Sequence, residues 1–345
     1  MQNIEKYFLF QSSPEEEKIQ ELVKAGFEYI KNNFNLSLEL EQKLDYILNN
    51  LASFIKSYYS PPLISFVEIF HPNQISKNIQ DTGGICYINP YNFRAEFYVI
   101  KKDEDDPYSI AEKIIHEVLH YLGTSISEVE ILTQENEEET STPILDMLNE
   151  IYRGKYKFSE RIQYRIGFIK SEDLILKDEL SGIKYLLVLP NNPIDGIFYE
   201  SVVDYFSKNI MRKITGEENR KIDFTSGYIT RIMLALCIYN TAYLLKESNQ
   251  KSYDENIEEL ENFLKLALIT GDLSGFIQEV DKLDVNTFIE RLINIIPKFK
   301  NMNPFIRNKM ENAVNNVKSQ LKELKEQSLF NIIKLLVFEF YKQSL

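Results

Sequence analysis

The chain has few cysteines and little positive charge, and each scarcity argues against a class of protein. Among 345 residues there are two cysteines, Cys86 and Cys237. They are too few for a disulfide framework and too far apart for a Cys-x-x-Cys zinc knuckle, so we expect both to be reduced and buried. The net charge of −13 leaves no basic surplus to neutralise phosphates. Nucleic acids and anionic membranes are therefore not expected as partners.

Long apolar runs are also missing. The longest, residues 232–245, contains Asn240 and Thr241 and is shorter than the roughly 20 residues that a membrane-spanning helix needs. Residues 1–18 have no basic region followed by an apolar run, so we predict no signal peptide. We therefore expect a cytoplasmic protein without a membrane span, although export without a cleavable signal would give the same pattern.

Two of the three histidines stand four residues apart in the sequence His116-Glu117-Val118-Leu119-His120. Histidines at this spacing share one face of a helix, so both imidazoles can bind one zinc ion. A zinc ion with three protein ligands lowers the pKa of its bound water to about 7, and a neighbouring carboxylate can then accept the proton. We therefore predict a zinc site with His116 and His120 as ligands and Glu117 as the general base.

The flanking residues predict that this motif lies on a helix. Ser109 and Glu112 have the spacing of a capping box, so we expect the helix to begin near Ile110. Gly123 is typical of the residue that ends a helix. An apolar stripe at helical spacing predicts the buried face, which leaves the histidines to line a cleft; it consists of Ile115, Val118, Leu119 and Leu122.

The overall pattern predicts an α+β fold with a small antiparallel or mixed sheet. We expect residues 1–160 to form the catalytic domain, and residues 161–345 to form a mostly helical region that completes the cleft or offers a partner surface. The expected elements before the motif helix are helices at 13–33 and 37–58 and strands at 63–70, 84–89 and 95–101. After the motif helix we expect a loop at 124–142, a helix from Pro143, and helices from about Ser159 onward with one β-like run at 185–189.

A helix that carries H-E-x-x-H directly after a small sheet resembles the zincin metallopeptidases. The resemblance covers about residues 60–160 and implies a peptidase that acts on a peptide or protein substrate. It assigns the zinc ligands to His116 and His120 and the general base to Glu117. It also implies that residues 84–88 form the strand at the edge of the cleft, where Gly83 and Gly84 would let a substrate backbone approach closely.

The zincin subfamilies differ in the third zinc ligand. In metzincins the motif continues to a third histidine, but Ile126 occupies that position here and cannot bind zinc. Gluzincins use a glutamate on a later helix, commonly preceded by asparagine. Asn149 and Glu150 fit that pattern on the helix predicted from Pro143, so Glu150 is the preferred third ligand. The competing carboxylates lie in or near the predicted loop, which positions a ligand less rigidly; they are Glu128, Glu130 and the glutamates among residues 135–139.

Other roles around the predicted metal are open. Asp146 would share a helix face with Glu150 and is a candidate to orient an imidazole, or else a surface carboxylate. Amide hydrolysis builds negative charge on the carbonyl oxygen and calls for a nearby hydrogen-bond donor. The candidates for that donor are Tyr152, Tyr156 and His71.

Two alternatives to a general peptidase remain open at the level of sequence. One is an interaction protein in which the zinc site is structural or vestigial and the helical half carries the function. The other is an intracellular regulatory protease that cleaves a single partner protein. Substrate specificity and oligomeric state do not follow from the sequence.

Overall fold

The computed structural model describes residues 14–49, 55–57, 84–88, 95–99, 106–131, 156–178, 184–188, 192–216, 229–299, 302–321 and 327–343. Within these ranges helices occur together with two sheets, which confirms the α+β class. The helices are α1 (Pro14–Asn33), α2 (Leu38–Asn49), α3 (Pro107–Gly123), α4 (Pro193–Thr215), α5 (Thr230–Ser248), α6 (Tyr253–Thr270), α7 (Ser274–Val280), α8 (Val285–Ile295), α9 (Pro304–Gln320) and α10 (Leu329–Lys342). The strands are β1 (Ile55–Ser57), β2 (Gly84–Ile88), β3 (Ala95–Val99), β4 (Thr124–Ile131), β5 (Tyr156–Ile166), β6 (Ile169–Asp178) and β7 (Lys184–Val188).

The first sheet has the strand order β1-β3-β2. Strand β1 runs parallel to β3, and β2 runs antiparallel to it with Cys86 opposite Phe97. The strands predicted at 84–89 and 95–101 are therefore confirmed, whereas the strand predicted at 63–70 lies outside the described ranges. The prediction of one helix over 37–58 was wrong, because α2 ends at Asn49 and residues 55–57 pair with β3 instead.

The second sheet overturns two predictions. It is antiparallel with the order β4-β5-β6-β7. Strand β4 covers the first part of residues 124–142, which were predicted to be a loop. The β5–β6 hairpin lies where a helix was predicted to begin at about Ser159. The physical reason is visible in β5, where Ile162, Tyr164 and Ile166 alternate with polar residues at the period of a strand. A bulge between Phe158 and Glu160 interrupts that alternation at its start.

One apolar core joins both halves of the chain. Helix α3 packs against α1 and α4, and α4 packs against α5 and α10. Core side chains therefore come from both sides of residue 160, among them Phe27, Ile115, Val202 and Leu336. Cys237 is a free, buried thiol in this core, as predicted. None of the helices within the described ranges is long and apolar enough to cross a membrane.

Candidate metal centre

The motif lies on α3, which confirms the predicted helix but corrects its start. The helix begins at Pro107, and its cap is Asp106 rather than the predicted Ser109. The Asp106 carboxylate accepts hydrogen bonds from the Ser109 backbone N–H at 2.8 Å and from the Ser109 hydroxyl at 2.9 Å. Proline at the first helical position already has the helical φ, which favours a helix start at Pro107.

Helix α3 ends at Gly123, as predicted, but for a different reason. The residue that follows, Thr124, is extended, so Gly123 does not serve as a left-handed cap. A side chain at Gly123 would instead collide with the backbone carbonyl of Leu268 in α6. Glycine is required here because the end of α3 and the end of α6 lie in contact.

The apolar stripe of α3 is buried in the core, as the spacing predicted. The motif residues are buried as well, since His116 is 6% exposed and Glu117 is 5% exposed. Burial of a carboxylate and an imidazole is costly unless each has polar partners. The partners that distinguish this site come from α4, a helix that the sequence did not connect with the motif.

Helix α4 brings Glu200 to the two histidines. The Nε2 atoms of His116 and His120 are 3.0 Å apart, and Glu200 Oε2 lies 3.4 Å from each. The Asn192 side chain caps α4 by accepting from the Ile194 N–H, and Pro193 follows at its start. Among the described residues, only His116, His120 and Glu200 form such a cluster of potential metal ligands, with ligand atoms within 4.8 Å of one another.

The triangle of these three atoms fits a zinc ion. Tetrahedral zinc at about 2.0–2.1 Å from its ligands requires ligand atoms about 3.3 Å apart. The observed sides of 3.0, 3.4 and 3.4 Å match one face of such a tetrahedron. Two nitrogen atoms and one carboxylate oxygen are also the donor set that zinc binds in hydrolytic sites, and the fourth vertex is left for water.

The electrostatics of the site also favour a cation. Burial would lower the pKa of His116, but the hydrogen bond to Glu200 and the charges of Glu117, Glu200 and Asp204 outweigh it and raise that pKa to about 9. Burial would likewise raise the pKa of Glu200, but His120 and His116 outweigh it and hold that pKa far below its usual value. Carboxylates thus surround two imidazoles, and positive charge at their centre is stabilised.

Asp204 lies one turn after Glu200 on α4 and adds negative charge near His116. Its carboxylate forms an ion pair with Arg231 of α5 at 2.6 Å, and both side chains are almost fully buried. Burial raises the pKa of Asp204, and the charges of Arg231 and His116 offset only part of that rise. The pair therefore connects the helical core to the candidate metal centre.

Replacing Arg231 with methionine is expected to destabilise the protein by about 3–5 kcal/mol, because the Asp204 carboxylate would stay buried without its partner. The measurement is urea unfolding followed by circular dichroism. The matched control is Lys208→Met, which removes a less buried pair, with Glu112 at 2.7 Å. Loss of a partly exposed pair costs about 1 kcal/mol or less. Equal decreases in the free energy of unfolding of the two variants would contradict the importance of the buried pair.

Most of the other residues predicted for the site lie outside the described residues. Glu130 is described and forms an ion pair with Arg161 at 2.5 Å. Tyr156 begins strand β5, but its side chain is not among those described. The predicted residues outside the described part of the chain are Glu150 with Asn149, Asp146, Tyr152, His71 and residues 135–139, and of Glu128 only the backbone is described.

The sequence did not indicate Glu200 as a ligand, because the resemblance to zincins covers only about residues 60–160. A local signal was present in the sequence. Asn192 and Pro193 mark a helix start, and the apolar residues Phe198, Val202 and Val203 that follow are fully buried. A glutamate and an aspartate four residues apart within such a buried helix are unusual and need polar partners. The sequence could not show that His116 and His120 supply them.

Comparisons with known proteins give no indication of function, so the function is argued from the geometry of the site. No family model matches the chain, and neither the curated proteins nor the solved structures contain a match to it.

Proposed function

We propose that the protein is a zinc-dependent hydrolase of the gluzincin type, acting as a peptidase on a peptide or protein substrate. His116 and His120 on α3 and Glu200 on α4 would bind the metal. The observation that carries the proposal is the triangle of their ligand atoms, with sides of 3.0, 3.4 and 3.4 Å. The choice of Glu200 as third ligand takes the place of the sequence-based preference for Glu150.

Glu117 would serve as the general base. Its carboxylate is almost fully buried, it follows His116 directly in the chain, and its negative charge helps to raise the pKa of His116. A bound zinc ion would lower the pKa of its water to about 7, within reach of such a base. Glu117 would accept the proton of that water as it attacks, and would then pass the proton to the leaving group.

The first sheet supports a peptide as substrate. Among the strands that the structure describes, β2 lies at the edge of its sheet, and it packs against α3. An edge strand offers backbone N–H and C=O groups that can pair with an extended peptide. Residues 84–88 would thus serve as the substrate-pairing edge that the resemblance to zincins implies, next to the helix that bears the motif.

The test combines metal analysis with a hydrolysis assay. The purified chain is expected to bind about one zinc ion and to cleave fluorescein-labelled casein, an unfolded substrate without a required sequence. A chelator should remove both the metal and the activity, and added zinc should restore them.

His116→Ala should lose metal and activity while retaining the circular dichroism of the wild type. Zinc that stays bound at wild-type stoichiometry in this variant would rule out the proposed centre. Zinc binding without cleavage in the wild type would favour the alternative of a structural site.

A further inference from the structure

We propose that Tyr199 is a positioning residue that holds His120 in its metal-binding orientation, and that the β5–β6 turn in turn holds Tyr199. The inference rests on the proposed function, because it concerns the same metal centre. Tyr199 directly precedes Glu200 on α4, so one helix would supply both a ligand and the partner of another ligand.

The hydrogen bond between Tyr199 and His120 fixes which ring nitrogen faces the metal. Tyr199 Oη lies 3.0 Å from His120 Nδ1, while His120 Nε2 faces His116 and Glu200. An imidazole that binds a metal through Nε2 carries its proton on Nδ1 and donates it to an acceptor. The Tyr199 oxygen is placed to be that acceptor, which selects the tautomer with a free electron pair on Nε2.

The ring of Tyr199 is itself tightly held. The residue is 3% exposed, and its ring packs edge-on against Phe168 with the centroids 5.3 Å apart. Gly167 also lies against this ring, and its φ of 56° is in the left-handed region. A side chain at Gly167 would overlap the Tyr199 ring. Glycine thus serves both the backbone turn and the close approach of the aromatic ring.

The turn that holds Tyr199 is anchored to two helix ends. The Gly167 N–H donates to the carbonyl of Gly123, the last residue of α3, at 3.0 Å. The Arg165 guanidinium donates to the Ile269 carbonyl near the end of α6 at 3.1 Å, and also to the Gly167 carbonyl. A cationic side chain at the carbonyl end of a helix is favoured by the helix dipole. The β5–β6 hairpin, which the sequence predicted as helix, therefore supports the metal centre through its contacts with the ends of α3 and α6.

The decisive variant is Tyr199→Phe, which removes only the hydroxyl. Its matched control is Tyr205→Phe on the same helix, where the buried hydroxyl donates to Glu261 at 2.6 Å, away from the histidines. Loss of a partner that orients a metal ligand raises the metal Kd about 10- to 100-fold. We expect that rise for zinc in Tyr199→Phe and none in Tyr205→Phe, measured by competition with a chromophoric chelator.

A spectroscopic readout separates positioning from a general structural effect. The visible absorption of Co²⁺ bound in place of zinc should change in Tyr199→Phe and match the wild type in Tyr205→Phe. Wild-type zinc affinity and an unchanged Co²⁺ spectrum in Tyr199→Phe would overturn the inference while leaving the metal site intact. Absence of zinc binding in the wild type would instead overturn the proposed function itself.

A second pair of variants tests the role of the turn. Gly167→Ala keeps the tyrosine hydroxyl but forces its ring to move, so we expect zinc affinity to fall in the same direction. Gly216→Ala is the matched control, because Gly216 has a φ of 69° but open space where the new side chain would lie. Equal zinc affinities of these two variants would show that the turn does not position Tyr199.

Discussion

Replacing Glu117 with glutamine is expected to abolish hydrolysis and leave zinc binding close to that of the wild type. Glutamine has nearly the same size and keeps one carbonyl oxygen, but it cannot accept a proton from a water molecule. Removal of a general base typically costs about 10²- to 10⁴-fold in rate. The loss should fall on kcat, measured with casein peptides, while metal analysis should still find about one zinc per chain.

The control for this variant is Glu112→Gln on the same helix. Glu112 is partly buried, whereas Glu117 is almost fully buried, and Glu112 pairs with Lys208 at 2.7 Å. We expect Glu112→Gln to keep most of the wild-type kcat, since a partly exposed ion pair contributes little to stability. An unaffected rate in Glu117→Gln would remove the general base from the proposed mechanism even if zinc is bound.

The second large effect is expected from Glu200→Ala, which should lose zinc under conditions where the wild type is saturated. Glu200 provides one of the three atoms in the triangle, and its side chain is 36% exposed, so its removal leaves little buried space to fill. Loss of a direct ligand should weaken zinc binding by more than the roughly 10- to 100-fold that follows from loss of an orienting partner. Equilibrium dialysis with zinc gives the affinity directly.

Glu150→Ala is the matched comparison, because both glutamates are candidates for the third ligand on different grounds. Glu200 is supported by its distance to both histidines, and Glu150 by its position after Asn149 in the sequence. We expect Glu150→Ala to bind zinc as the wild type does. The reverse result, with zinc retained in Glu200→Ala and lost in Glu150→Ala, would return the third ligand to the sequence-based assignment.

The sequence was informative where structure is determined by neighbouring residues. The helix that carries His116 and His120 and its buried apolar stripe follow from local spacing. The strands β2 and β3 follow from short β-rich runs between turns. These features need no knowledge of what packs against them.

The sequence failed where distant segments meet. The approach of Glu200 to the histidines depends on how α4 packs against α3, and no local pattern encodes that packing. The β5–β6 hairpin was predicted as helix because a bulge between Phe158 and Glu160 shifts the alternation of its apolar residues. The role of Gly167 was equally hidden, since its neighbour Tyr199 is far away in the sequence.

The separation of the paired residues sets an order of events during synthesis. His120 and Tyr199, the residue before Glu200, are 79 positions apart in the chain. At about 5–20 residues per second, a ribosome needs roughly 4–16 s to cover that distance. During this interval the nascent chain displays both histidines without the carboxylate or the tyrosine. The three potential metal ligands can therefore come together only after α4 has emerged and docked, so the proposed peptidase would have no complete site while the chain is still growing.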